Sequence, residues 1–128
     1  MKLNMFLAFL VAGTAMMLPG AARAHPKLVE GSPAANVAAA KPTFVKLTFS
    51  ERLMPKLSGA TLIMTGMAGM ANHPDMKMPG IATAIAADGK SIVLTSSTPL
   101  PAGTYRVDWV VVGADTHRVA GAHSFAVR

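Results

Sequence analysis

The stretch "PLPAGTYRVDWVVV", residues 99–112, decides the fold. A Pro-x-Gly turn signal leads into a run in which Tyr105, Val107 and Trp109 alternate with Arg106 and Asp108. Side chains along a strand point to opposite faces with a period of two, so the three aromatic and branched residues share a core face and Asp108 lies on the other. A tyrosine at a strand entrance after such a turn predicts a tyrosine corner, in which the phenol hydroxyl satisfies a nearby backbone group. Working outward, "KPTFVKLTFSE" (41–51) alternates in the same way, with Val45, Leu47 and Phe49 on one face and Phe44, Lys46 and Thr48 on the other. "GATLIMT" after Ser58, "KSIVLTSS" after the Asp88-Gly89 turn signal, and "GAHSFAVR" at the end supply further short β-rich runs. No segment sustains a helical period. About seven strands bounded by Gly, Pro and Asp-Gly predict an all-β, immunoglobulin-like sandwich. His123 alternates with Phe125 and Val127 and is expected to face the core.

Ahead of this domain lies a leader. A basic start, an apolar run from Met5 to Leu18 and the small-x-small sequence Ala22-Arg23-Ala24 read as a secretory signal peptide cut after Ala24. The expected organisation is residues 1–24 as leader and 25–128 as a single domain of 104 residues, with no membrane span in the mature chain. Removing Lys2 and Arg23 lowers the net charge from +6 to +4. The remaining cations are scattered singly, without a basic run or interleaved aromatics, which excludes nucleic acid as the expected partner. The chain has no cysteine. An exported domain of this kind holds itself by packing alone, and its soft or borderline metal ligands are limited to His, Met and carboxylates.

The expected cut places His25 first. A terminal histidine owns an imidazole and a free α-amine, which together close a six-membered chelate ring through Nδ1. The amine's ordinary pKa, about 7.7–8.0, lets a metal ion displace its proton at neutral pH. Pro26 has no amide N–H, so the next backbone nitrogen is unavailable and further donors must come from the fold. "ADTHRV" offers them: Asp115 and His117 are two apart and share a face on an extended segment. Two imidazoles, an amine and a carboxylate suit tetragonal Cu(II), with Ni(II) or Zn(II) as chemical rivals.

A second group of ligands lies in "MTGMAGMANHPDMKM", residues 64–78. Met64, Met67 and Met70 have helical spacing, but Gly66, Gly69, Pro74 and Pro79 make a helix costly, at about 1 kcal/mol for each interior Gly and about 3 for Pro. A loop dense in uncharged, soft thioethers, with His73 among them, suits Cu(I). Adaptable core filling and a promiscuous apolar surface are the alternative readings.

Taken together, "AHPKL", "LTFSERL", "IMTGMAGMANHPDM", "PAGTYRVDW" and "DTHRVAG", in this order from His25 to Arg128, resemble the periplasmic copper-resistance protein CopC family, also called the CopC/YobA type. The resemblance implies a small Greek-key β-sandwich that carries copper in the periplasm and is not an enzyme. It places a Cu(II) site on His25, Asp115 and His117, with Glu51 of "FSE" as a weak ligand or a partner of the ligands. It places a Cu(I) site on Met64, Met67, Met70, His73 and Met76, with Met78 as an alternative soft donor. A membrane copper importer or an outer-membrane copper protein is the implied exchange partner. Two rivals make different demands: a histidine-brace copper monooxygenase needs exposed aromatics around an open metal, and a plain Ig-like interaction module needs neither site.

Overall fold

The computed structural model describes residues 25–70 and 72–128, and the expected leader at 1–24 lies outside the described residues. Among the described residues nine strands follow in order: β1 (Leu28–Ser32), β2 (Ala38–Ala39), β3 (Phe44–Phe49), β4 (Gly59–Met67), β5 (Met76–Lys77), β6 (Ile81–Ile85), β7 (Ser91–Ser96), β8 (Gly103–Val112) and β9 (Arg118–Val127). Seven of them have five residues or more, in agreement with the expected number. They form two sheets, β1-β3-β7-β6 and β2-β9-β8-β4-β5. The pairings are antiparallel except for the short parallel contact of β2 with β9. The chain passes repeatedly between the sheets, and the protein is an all-β sandwich. None of the described residues forms a helix long and apolar enough to cross a membrane.

Alternation builds the core. Val45, Leu47 and Phe49 of β3 and Ile92 and Leu94 of β7 face Leu62 and Met64 of β4, Tyr105, Val107, Trp109 and Val111 of β8, and Phe125 and Val127 of β9. Full burial of such a side chain stabilises by about 1.5–3 kcal/mol, so this layer of large residues can hold a chain that has no cysteine to cross-link.

The expected tyrosine corner is present: the Tyr105 hydroxyl donates to the Pro101 carbonyl at 2.6 Å. Trp109 meets Phe49 edge-on, with ring centroids 5.0 Å apart. Its ring lies over Gly121, where any Cβ would overlap the indole. His123 is buried, and its Nε2 lies 2.8 Å from the Pro33 carbonyl. That carbonyl can only accept, so Nε2 carries the proton.

The long β8 determines where the loops go. At its C-terminal end, the turn Gly113–His117 leads back into β9. At its N-terminal end, Gly103 pairs with Met67, where β4 runs into the methionine-rich loop. Ten residues at about 3.4 Å each separate these two ends by roughly 30 Å.

Candidate metal centre

Asp115 and His117 sit on the turn after β8 rather than on an extended segment. The Thr116 N–H donates to the Gly113 carbonyl at 2.9 Å, and Thr116 itself takes a left-handed φ of 67°. Asp115 Oδ1 accepts the His117 N–H at 3.1 Å, closing an Asx turn. The two side chains therefore meet because the backbone folds back on itself, not because a strand repeats every two residues. A β-branched residue in the left-handed region is uncommon and costs of order 1–3 kcal/mol, a strain found most often at functional sites.

His25 is delivered from the other sheet. Lys27 donates its N–H to Ser50 Oγ at 3.0 Å and accepts the Ser50 N–H on its carbonyl at 2.8 Å. Three residues on, Leu53 bridges to Gly113, and the Met54 N–H donates to the Val112 carbonyl at 2.7 Å. The segment Ser50–Met54 thus straps the start of β1 to the end of β8, and Glu51 lies half-buried on that strap. Among the described residues Glu51 makes no ion pair with His25 or His117.

The three ligand candidates converge. One donor atom each from His25, Asp115 and His117 lies within 4.8 Å of the others. Asp115 Oδ2 stands 2.9 Å from His117 Nδ1 and 3.4 Å from His25 Nδ1. The two imidazoles meet edge to face, centroids 4.7 Å apart. Two donors on opposite sides of a metal with bonds of about 2.0 Å are about 4 Å apart, so the spacing of these donors is of the order that one ion requires. A carboxylate against His117 Nδ1 also holds that ring in the tautomer that leaves Nε2 free as a donor.

The electrostatics fit an anionic oxygen ligand. The hydrogen bond from the His117 ring, then that from its backbone N–H, hold the Asp115 carboxyl below the ordinary carboxylate range, with smaller contributions from the charges of His117 and His25.

The methionine-rich loop divides by burial. Met67, Met70 and Met76 are 38%, 52% and 43% exposed, whereas Met64 is 1% exposed and belongs to the core. Met64 and Met76 are direct cross-strand partners, and Met67 bridges to Met70. Directly opposed residues share a face, so Met64 is the inner neighbour of an exposed thioether. His73 is half-buried, and its Nδ1 is enclosed with no hydrogen-bond partner among the described residues. Met78 packs against the core instead of joining the exposed group. Arg106 on β8 tethers the loop, with Nη1 3.1 Å from Asp75 while Nε holds Asp108 at 2.7 Å.

Sequence reasoning missed Ser50, Thr116 and the Arg106–Asp75 tether. Ser50 stands inside the quoted "FSE", but nothing in that string says which backbone it will hold. Arg106 and Asp75 are 31 positions apart, beyond any local pattern.

Comparison with known proteins places this architecture. The family model for the CopC domain matches residues 28–128. Copper resistance protein C of Escherichia coli is 46% identical over 121 residues, covering 94% of this chain and 95% of that protein. Copper resistance protein C of Xanthomonas campestris pv. juglandis is 48% identical over 114 residues, covering 89% and 88%. The crystal structure of PcoC, a methionine-rich copper resistance protein from Escherichia coli, superposes with a TM-score of 0.74 at 47% identity, over 82% of this chain and all of that one. By domain match, sequence and fold alike, the chain belongs to the CopC family.

Proposed function

We propose that this protein binds and carries copper in the periplasm as part of copper resistance or homeostasis. In this reading Cu(II) binds at His25, Asp115 and His117 and Cu(I) in the methionine-rich loop. The observation that carries it is the convergence of two imidazoles and one ionised carboxylate, drawn from two sheets, on a space of metal-ion size. His25 Nδ1, the nitrogen that would close a chelate ring with a free terminal amine, already faces the Asp115 carboxylate. Glu51, on the strap between the two halves, is a weak ligand or orients the others. For Cu(I), the exposed thioethers of Met67, Met70 and Met76 and the unpartnered Nδ1 of His73 form the donor set, with Met64 behind them.

Ligand chemistry makes oxidation state the selector. Imidazole, amine and carboxylate favour Cu(II), while uncharged thioethers favour Cu(I). Exchange with a membrane copper importer or an outer-membrane copper protein completes the proposal. The burial of Tyr105 and Trp109 in the core weighs against the monooxygenase alternative, which needs exposed aromatics around the metal.

The test compares a protein beginning at His25 with one carrying a single extra residue before it. Cu(II) titration by EPR and chelator competition should show marked weakening in the extended form. Equal affinity refutes the amine chelate. Replacing Met67, Met70 and Met76 together should abolish tight Cu(I) binding and spare Cu(II). Retained Cu(I) affinity refutes the loop site.

A further inference from the structure

Pro26 has a role beyond denying the metal a backbone nitrogen. His25 is half-exposed, yet the residue after it is among the most deeply buried in the protein, with less than 2% of its surface accessible. Its ring is seated against Gly113, which is itself buried at the end of β8. A Cβ on Gly113 would stand 2.9 Å from Pro26 Cγ, 3.1 Å from Cδ and 3.3 Å from Asp115 Oδ1. The position a side chain would take at Gly113 is therefore bordered at once by the proline ring and by a ligand carboxylate. No positive φ demands glycine at this position; the close approach does.

The consequence for His25 is geometric. Proline Cδ is bonded to the peptide nitrogen that carries the His25 carbonyl, so any displacement of the ring is handed directly to His25. Proline also confines the preceding residue to extended backbone conformations, which limits where the His25 amine can point. We propose that Pro26 and Gly113 form a steric latch that sets the position and direction of the His25 amine and imidazole relative to Asp115 and His117. Pro26 is in this sense a positioning residue for the Cu(II) site, and Gly113 is the socket that admits it. The inference rests on the proposed His25 chelate and adds the reason the chelate arrives in register.

The experiment crosses Gly113→Ala with the N-terminal extension. Cu(II) affinity is measured by chelator competition, and coordination by EPR, in four proteins: the form starting at His25 and the form with one extra residue, each with and without G113A. Loss of a group that orients metal ligands typically costs about ten- to a hundred-fold in affinity, so G113A should weaken the His25-first protein by that factor and change its EPR spectrum. In the extended protein, where the His25 nitrogen is tied up in a peptide bond and only its imidazole is left to position, G113A should cost clearly less than in the His25-first protein. Pro26→Ala removes atoms instead of adding them and provides the second variant should G113A fold poorly. It should show the same selective loss at about pH 6, where the new amide keeps its proton. Cu(I) affinity of the methionine-rich loop should be unchanged throughout, a readout that general unfolding would move. Wild-type Cu(II) affinity in both variants, or equal losses with and without the extension, overturns the latch. If the two unsubstituted proteins bind Cu(II) equally, the chelate reading fails and takes the latch with it.

Discussion

Two glycine-to-alanine substitutions in the same sheet should change stability in opposite directions. Gly121 on β9 pairs with Trp109, and a Cβ there would overlap the indole ring. Gly59 on β4 has no atom within 4 Å of its would-be Cβ. Neither has a positive φ, so backbone strain does not separate them. G121A forces the indole or the β9 backbone to move. Overpacking of this kind costs about 1–3 kcal/mol, and displacing the indole also weakens its edge contact with Phe49, a pair type worth about 0.5–1.5 kcal/mol. For a domain of this size each kcal/mol lowers Tm by about 4–8 °C, so overpacking alone should lower the Tm of G121A by roughly 4–24 °C. G59A meets no obstacle and restricts the unfolded chain, so it should be neutral or stabilise by up to about 1 kcal/mol. Thermal melting in excess chelator, followed by circular dichroism and by emission of the single tryptophan, reads both, because bound metal would mask the difference. An unshifted G121A, or a fall of equal size in G59A, refutes the packing argument.

Asp115→Asn should change how the metal-free protein responds to acid. The native carboxyl is held below its ordinary range, so its contribution is present above the unfolded value near 3.8 and is lost as pH falls through the lower folded value. The melting difference between wild type and D115N should persist at neutral and mildly acidic pH and vanish only below about pH 4; a gap constant across the acid range refutes the assignment. Tyr105→Phe removes the donor to Pro101 and should cost about 1 kcal/mol, read as a fall of roughly 4–8 °C in Tm, with Cu(II) affinity unchanged. No change in Tm would mean the corner contributes packing alone.

The strands with strict alternation were legible from sequence, and those lacking it were not. β8 begins and ends where its glycine and branched residues place it. β6 escaped notice because "IATAI" sets alanines between its isoleucines at the sheet edge, and alanine signals neither strand nor face. β1 carries a glycine, and its register shifts against β3. At the metal centre the residue identities were readable but the geometry was not. Asp115 and His117 come together through a left-handed threonine, which no residue spacing announces. In the methionine-rich loop, residue type grouped Met64 with its neighbours, although its two-residue spacing from Leu62 already marked it as core. The approach of His25 to this turn depends on sheet pairing and on the Ser50 tether, both long-range.

The length of β8 also bears on kinetics. With the imidazole cluster at one end of that strand and the thioethers at the other, no side chain can hand an ion between them. Under the proposed two-site reading, an ion that changes oxidation state would therefore have to leave the chain before it reached the opposite kind of ligand, on the same molecule or another. Direct exchange between two copies would be second order in protein and accelerate as the chain accumulates.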